Sequence, residues 1–368
     1  MKIAVIGTRG FPNIPGGVER HCEILYPLVA QTGGNIQLIV FRRKPYVDYS
    51  PSATLNNIRF IDIYVIRNKY FETIFHSFIA SFFCLFLRPD IIHIHNIGTA
   101  LVLPFLKLFG LRSVVTYHSD NYNHEKWGVF SKKILRLGEW FAGRLADSII
   151  VVSRKQKENF LHHPNVEIVP NGVRAPMISD SISYLKTISV QPGRYILAVA
   201  RFVPEKGLDL LVKAFKELGG DFKLVVAGDA DHETTYSRNL KEEMAGDHRI
   251  VSTGYITGEA LNQVYSHAGL FVLPSFHEGL PIALLEAMSY DLPVLVSDIP
   301  ANREVDLPEE RFFRCGDVPD LKKKIEALWN KDLTVDEKNH FRSLLVEQYN
   351  WDKIARQTIE VYERVLRG

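Results

Sequence analysis

Short apolar runs alternate with helix-like segments along this chain, and this alternation constrains the fold more than any other feature. In the first half, β-branched apolar runs at residues 3–6, 36–41, 91–95, 113–117 and 148–152 predict strands. Helical patterns lie between them, at residues 18–31, 73–87, 100–109 and 132–144. Continuous apolar strands are typical of a parallel sheet buried on both faces, so the pattern predicts a doubly wound α/β domain.

The alternation pauses over residues 174–192 and then restarts. The second series predicts strands at 195–200, 222–227, 250–253, 270–273 and 293–297, and helices at 208–218, 259–266, 281–289 and 320–329. An amphipathic helix is expected from 351 to 366. A chain of 368 residues is long enough for two domains of about 150 residues. We therefore predict two similar domains, 1–172 and 173–350, with the site in a cleft between them.

The charge balance argues against nucleic acid as a partner, because 44 basic and 42 acidic residues leave a net charge of only +2. Basic runs such as Arg42-Arg43-Lys44 are expected on the solvated surface. Three cysteines without disulfide or zinc spacing, and an apolar run at 3–6 too short for a secretory signal, predict a cytoplasmic protein. The apolar run at 74–87 is shorter than the roughly 20 residues that span a bilayer, which favours a buried or surface-docked helix.

A glycine-rich loop follows the first strand. Gly16 and Gly17 come just before the first predicted helix, where free N–H groups and the helix dipole attract an anion. The spacing matches neither the dinucleotide fingerprint nor the P-loop. The loop therefore indicates either a phosphate or sugar contact, or a turn without a ligand.

Two cations follow the first strand of the second half. Arg201 lies just past the strand end, and Lys206 lies at the entrance of the next helix. Ligands of open α/β sheets bind at the carboxyl ends of the strands. Cations there suit a diphosphate leaving group, on which negative charge builds as the bond breaks. The alternative is a pair of surface charges, one of them paired with Glu205.

One element of the second half carries two carboxylates. Glu278 lies in the loop after a predicted strand, and Glu286 lies in the next helix, whose first residue is expected to be Pro281. The N–H groups of Gly279 and Leu280 would then be available to an anion or a hydroxyl. Apolar residues flank Glu286, and a carboxylate in such a place is seldom buried without a partner. The two acids indicate binding of sugar hydroxyls, with surface charges as the alternative.

Histidines occur at two strand ends. His93 and His95 share one face of a strand, and burial in the sheet explains them better than a metal pair. His118 follows the next strand and is expected at its carboxyl edge, as a substrate contact or a structural histidine. The triplet Asp229-Ala230-Asp231 has the form of a metal motif, but such triplets are common by chance, and no metal site is predicted.

These motifs together resemble the retaining glycosyltransferases of family 4, which have the GT-B fold of two facing Rossmann-like domains. The motifs are Gly16-Gly17, PNGV at 170–173, ARFVPEKG with Arg201 and Lys206, and the E-x7-E element from Glu278 to Glu286 in EGLPIALLEAM. The N-terminal half, with GTRGFPNIPGGVERHCEILYPLVA and HIHNIG, resembles a bacterial polysaccharide subgroup often described as rhamnosyltransferases.

The resemblance implies how a nucleotide-sugar donor would bind. Glu286 would hold the ribose hydroxyls. Arg201 and Lys206 would neutralise the diphosphate, with Gly17 and the amides of Gly279-Leu280 close by.

The resemblance also implies how the sugar would be transferred. Glu278 would hold hydroxyls of the donor sugar, and His118 would contact that sugar near its anomeric carbon. The family usually has an aspartate directly after this histidine. Here Ser119 follows His118, and Asp120 comes one residue later. Transfer would proceed with retention and without a metal or other cofactor.

The C-terminal helix 351–368 would pack on the first domain. The acceptor would be a glycan or polyprenyl-linked glycan, and the aromatic and basic segment 67–87 would dock at the inner face of the membrane.

Two other interpretations stay open. A non-hydrolysing sugar-nucleotide epimerase would bind a sugar nucleotide and need no acceptor. A non-catalytic nucleotide-binding protein would bind without transfer, although the intact cations and acids argue against it. The sequence does not specify the nucleotide base, the donor sugar or the acceptor.

Overall fold

A computed structural model describes residues 1–14, 16–47, 57–66, 72–118 and 129–368. Residue contacts divide the chain into two compact units. The first unit comprises Met1–Gly172 and Tyr349–Gly368, and the second comprises Val173–Gln348.

The first unit contains a seven-stranded parallel sheet in the order β3-β2-β1-β4-β5-β6-β7. Its strands are β1 (Lys2–Ile6), β2 (Gln37–Arg43), β3 (Ile58–Ile63), β4 (Ile91–His95), β5 (Ser113–Tyr117), β6 (Ser148–Val151) and β7 (Val166–Ile168). Its first helices are α1 (Gly17–Thr32), α2 (Glu72–Leu87), α3 (Leu103–Leu108), α4 (Val129–Leu145) and α5 (Arg154–Lys157). The strand order reverses between β1 and β4, and such switch points are where sheets of this type bind ligands.

The second unit repeats this topology in a six-stranded parallel sheet, β10-β9-β8-β11-β12-β13. Its strands are β8 (Tyr195–Val199), β9 (Lys223–Ala227), β10 (Ile250–Gly254), β11 (Leu270–Leu273), β12 (Val294–Ser297) and β13 (Phe312–Phe313). Its helices are α6 (Ser183–Thr187), α7 (Leu208–Lys216), α8 (Thr235–Ala245), α9 (Gly258–Ser266), α10 (Ile282–Ser289), α11 (Pro300–Arg303), α12 (Val318–Leu328) and α13 (Val335–Gln348). The switch point here lies between β8 and β11.

The predicted fold class, two doubly wound Rossmann-like domains, is confirmed. The strands are apolar on both faces because helices cover both sides of the sheet. In the first unit, α1 and the C-terminal helix α14 (Trp351–Arg367) cover one face, and α2, α3 and α4 cover the other. The apolar stripe of α14, with Ile354 and Tyr362, packs on α1.

Periodicity missed elements whose formation depends on their neighbours. The edge strands β7 and β13 have only three and two residues, too few for a pattern. Helix α13 has only Phe341, Leu344 and Leu345 buried. Residues 183–187 form a helix inside the pause, where none was expected. Pro281 is the N-cap of α10 rather than its first residue, since its ψ of 107° is extended.

The expectation of a solvated basic run was wrong for Arg42 and Arg43, which are buried at the end of β2. Arg42 donates to Asp62 on β3 at 2.7 Å, and Arg43 donates to Glu72 on α2 at 2.7 Å. Buried charges are tolerated when paired and hydrogen-bonded, and these carboxylates come from elements distant in sequence.

Candidate functional site

A glycine brings two loops together at the switch point of the second unit. Gly207 has φ of 60°, and a Cβ there would lie 2.3 Å from the carbonyl oxygen of Pro274, just after β11. Only glycine fits this left-handed, crowded position. The close approach places Lys206, one residue earlier, against the loop that carries Glu278. The Lys206 Nζ lies 2.5 Å from the Glu278 Oε1.

Glu278 is held by more than this ion pair. Its Oε1 also accepts a hydrogen bond from the Ser275 hydroxyl at 2.6 Å, and its side chain is only 7% exposed. Charge-assisted bonds in a partly desolvated place are stronger than those on an open surface. The carboxylate is therefore fixed beside a cation at the carboxyl ends of β8 and β11.

Arg201 lies at the same edge but pairs with another loop. Its Nη1 donates to the Asp231 Oδ2 at 3.0 Å, and its side chain is 41% exposed. The neighbouring Asp229 pairs with Lys241 at 2.7 Å. Each carboxylate of the Asp229-Ala230-Asp231 triplet is thus bonded to a cation.

Glu286 has a hydrogen-bond partner within the second unit. Its Oε2 accepts from the hydroxyl of buried Tyr265 at 3.1 Å, and the Tyr265 ring stacks on Tyr290 with centroids 5.2 Å apart. Gly279 and the buried Leu280 precede the first turn of α10. Of the two cations and two acids expected to converge, Lys206 and Glu278 are in direct contact.

The predicted glycines of the first unit differ in their surroundings. A Cβ on Gly16, whose φ is 142°, would lie 2.0 Å from Glu19 Oε2. Glu19 folds back under the loop, and its Oε1 accepts from the Arg9 amide at 3.0 Å. Gly17 begins α1, and apart from its chain neighbours and the backbone of its own helix, no heavy atom of the described residues lies within 4 Å of where its Cβ would be. Sequence reasoning missed Glu19, although an acid in the first turn after a glycine pair is a recognisable signal.

His118 ends a chain of buried hydrogen bonds in the first unit. Its Nε2 lies 2.9 Å from the His95 Nδ1, and the His95 Nε2 lies 2.5 Å from the Tyr26 hydroxyl. That hydroxyl lies 2.9 Å from the His93 Nδ1, which is also 2.6 Å from the Tyr362 hydroxyl. The chain joins α1, β4, the end of β5 and α14.

Two further contacts complete this cluster. The His93 Nε2 lies 2.7 Å from the Thr116 Oγ1. The His21 Nδ1 lies 3.1 Å from the Asn171 Oδ1, and its ring packs edge-on against His118 at 4.9 Å. No local pattern predicted His21, Tyr26 or Tyr362, since these partners are up to 269 residues apart.

Burial keeps these imidazoles neutral. It lowers the pKa of His21 to about 4 and that of His93 to about 3. Burial, reinforced by neighbouring imidazoles, also holds the pKa values of His95 and His118 well below the usual value. Near neutral pH, each ring therefore carries one proton and has one accepting nitrogen.

In the described part of the chain, one group of three side chains could ligate a metal ion. It comprises His21, His95 and His118, whose ligand atoms lie within 4.8 Å of one another. However, the facing nitrogens of His95 and His118 are 2.9 Å apart and share a proton. In this arrangement they are a hydrogen-bonded pair. Ser119 and Asp120 lie outside the described residues.

Helix α2 presents an aromatic surface. Ala80 and Cys84 lie in the core, whereas five phenylalanines on the other side are between 44% and 72% exposed: Phe75, Phe78, Phe82, Phe83 and Phe86. No helix in the described ranges is long and apolar enough to span a bilayer. Residues 67–71 of the segment expected to dock on a membrane are not among those described.

Comparisons with known proteins agree with this architecture. The family described as Glycosyltransferase Family 4 matches residues 15–175, and that described as Glycosyl transferases group 1 matches residues 186–343. A phosphatidyl-myo-inositol mannosyltransferase of Mycobacterium leprae is 26% identical, over 99% of this chain and 97% of that protein.

Solved structures show the same fold. Sucrose-phosphate synthase from Thermosynechococcus elongatus superposes with a TM-score of 0.80 at 22% identity, covering 100% of this chain and 99% of the other. HepE of Anabaena, solved with UDP-glucose, gives 0.76 at 16% identity, covering 99% and 100%. The fold is thus that of the GT-B glycosyltransferases. The chain is a glycosyltransferase similar to family 4.

Proposed function

We propose that this glycosyltransferase moves a sugar from a nucleotide-diphosphate-sugar to a glycan or lipid-linked glycan, with retention of anomeric configuration and without a metal or other cofactor. The observation that carries the proposal is the Lys206–Glu278 pair at the switch point of the second unit. The pair offers a cation for phosphate beside a carboxylate for sugar hydroxyls. The UDP-glucose named for the Anabaena structure supports a donor of this class.

The charges suggest how the donor bond is broken. The bond between the anomeric carbon and the diphosphate oxygen breaks, and the transition state is oxocarbenium-like. The acceptor oxygen bonds to the same face of that carbon, and its proton goes to the departing diphosphate oxygen. Arg201 and Lys206 stabilise the charge on the diphosphate. Glu278, whose Oε1 already bonds Lys206 and Ser275, binds sugar hydroxyls rather than attacking the anomeric carbon.

A thermal-shift screen across UDP-, GDP- and dTDP-sugars tests the donor class. A ligand that binds only the folded state raises the melting temperature by mass action. We expect one base to raise the melting temperature, and the rise to disappear in Glu286→Ala if that acid holds the ribose. No shift with any nucleotide sugar would refute the proposal. An epimer formed from donor alone would favour the epimerase, and binding without transfer would favour a non-catalytic protein.

We further propose that the acceptor is reached at an anionic membrane surface through α2 and its neighbours. Besides the five phenylalanines of α2, Trp140 on α4 is exposed on the same side of the sheet. Arg88 at the end of α2 and Lys133 on α4 are exposed cations. Aromatic side chains beside cations are typical of proteins that lie on anionic lipid. The Mycobacterium leprae relative is named for a lipid acceptor, phosphatidyl-myo-inositol.

Co-sedimentation of the full chain with vesicles tests this surface. We expect binding to vesicles containing phosphatidylglycerol and weaker binding to pure phosphatidylcholine. The double variant Phe82→Ser/Phe86→Ser should lose binding, whereas Met177→Ser/Val335→Ser removes two exposed apolar side chains of the second unit and should retain it. Equal binding by both double variants would refute the assignment.

We place the reaction in bacterial surface polysaccharide synthesis, with a hexosyl or rhamnosyl donor, on the N-terminal motifs alone.

A further inference from the structure

The chain of hydrogen bonds that ends at His118 contains few protons, so the donor of each bond can be assigned in turn. The Tyr26 hydroxyl has one proton but faces two imidazole nitrogens, the His95 Nε2 at 2.5 Å and the His93 Nδ1 at 2.9 Å. The Tyr362 hydroxyl lies 2.6 Å from the same His93 nitrogen. The two shorter contacts involve different hydroxyls. In the arrangement where each hydroxyl donates along its shorter contact, Tyr362 donates to His93 and Tyr26 donates to His95.

This assignment propagates along the chain. A neutral imidazole that accepts at one nitrogen carries its proton on the other. His93 accepts at Nδ1 and so donates from Nε2 to the Thr116 Oγ1 at 2.7 Å. His95 accepts at Nε2 and so donates from Nδ1 to the His118 Nε2 at 2.9 Å. His118 then carries its own proton on Nδ1.

We propose that Tyr26 and His95 are positioning residues that keep His118 neutral, with Nε2 occupied and the proton on Nδ1. His118 then presents a fixed, uncharged N–H donor at the carboxyl edge of β5. The inference rests on the proposed function, in which His118 contacts the donor sugar. A neutral donor suits an oxocarbenium-like transition state, because an imidazolium beside it would add like-charge repulsion.

The opposite proton arrangement is the competitor that a test must exclude. In it, Tyr26 gives its proton to His93, His95 donates from Nε2 to Tyr26, and His118 donates from Nε2 to His95. That arrangement uses the longer Tyr26–His93 contact as a donor bond. His21, the other imidazole that packs against His118, donates to the Asn171 Oδ1 and is neutral as well.

Imidazole ¹⁵N NMR of the full chain distinguishes the two arrangements, with the His118 signal assigned from the spectrum of His118→Asn. At pH 7 we expect a protonated Nδ1 and an unprotonated Nε2. Tyr26→Phe removes the hydroxyl proton and should give a mixture of tautomers at His118. Tyr64→Phe, a matched change at an exposed tyrosine of the same unit, should not. A proton on Nε2 in the wild type, or an unchanged spectrum in Tyr26→Phe, would overturn the proposal.

Kinetics provide a second readout. His95→Asn keeps a side-chain N–H near the position of the His95 Nδ1, whereas His95→Leu does not. We expect His95→Leu to lower kcat at least about fivefold with little change in KM for the donor, and His95→Asn to restore most of it. Equal losses in both variants would contradict positioning. If the tautomer shifts in Tyr26→Phe but transfer does not change, the positioning stands and the contact of His118 with the donor fails.

Discussion

The two switch points have the same topology but differ in charge. In the first unit, the residues around His118 are buried, neutral and joined by hydrogen bonds between rings and hydroxyls. In the second unit, the residues around Lys206 are charged, paired and partly exposed. Strand order therefore sets the place of each switch point, while the side chains at the strand ends set its charge. On the proposed function, the second site would bind the diphosphate of the donor, and the first would bind a neutral hydroxyl or ring oxygen of its sugar.

The largest expected effect comes from removing the cations of the second unit. Arg201→Ala and Lys206→Ala should each lower turnover by about 10² or more, since one preorganised charge commonly contributes about 3 to 4 kcal/mol to the transition state. Steady-state transfer assays measure this. Lys213→Ala removes an exposed lysine of α7 and should retain activity. Full activity in Arg201→Ala and Lys206→Ala would remove the contrast between the two sites.

Two glycines, one in each unit, are expected to differ in what they contribute. Gly207→Ala should destabilise the fold by about 2 kcal/mol, because alanine disfavours the left-handed region and its Cβ would meet the Pro274 carbonyl. Gly17→Ala should leave stability nearly unchanged and weaken donor binding, because the space beside it is where a ligand would approach. Urea unfolding and donor titration give the two quantities. Equal losses of stability would show that both glycines serve packing.

Acid should destabilise the protein through the histidines of the first unit. A histidine whose folded pKa is lowered contributes nothing to pH dependence above its unfolded value near 6.5. Stability is then lost as pH falls from there toward the folded value, which is about 4 for His21. At pH 5.5, His21 alone should lower the free energy of unfolding by about 1 kcal/mol.

The free energy of unfolding, measured between pH 7.5 and 5.5, checks this. His21→Gln should reduce the slope. An identical slope in His21→Gln would contradict the neutral state of the cluster.

The smallest effect concerns the exposed pair of the second unit. Asp231→Asn should change stability by less than about 1 kcal/mol, because exposed ion pairs contribute little. It should strengthen donor binding a few-fold at low salt, since Asp231 competes with diphosphate for Arg201. The gain should shrink at high salt as charges are screened. Weaker donor binding in Asp231→Asn would mean that the pair orients Arg201 rather than competing for it.

Apolar periodicity predicted the fold class and most of the strand-end loops, although it missed the edge strands β3, β7 and β13. Apolar runs at 91–95 and 270–273 became β4 and β11, because a strand covered on both faces has a continuous apolar pattern. The sequence also placed Arg201, Lys206, Glu278 and His118 just past strand ends, where parallel sheets gather their loops.

Which of these side chains contact one another depends on the folded structure. Lys206 contacts Glu278 through a turn that glycine permits, and Arg201 contacts Asp231. The chain of hydrogen bonds that ends at His118 depends on the hydroxyls of Tyr26 on α1 and Tyr362 on α14. A periodic pattern records which face of an element is apolar, but not which distant element covers that face. Pairings between separated elements therefore appear only after the chain has folded.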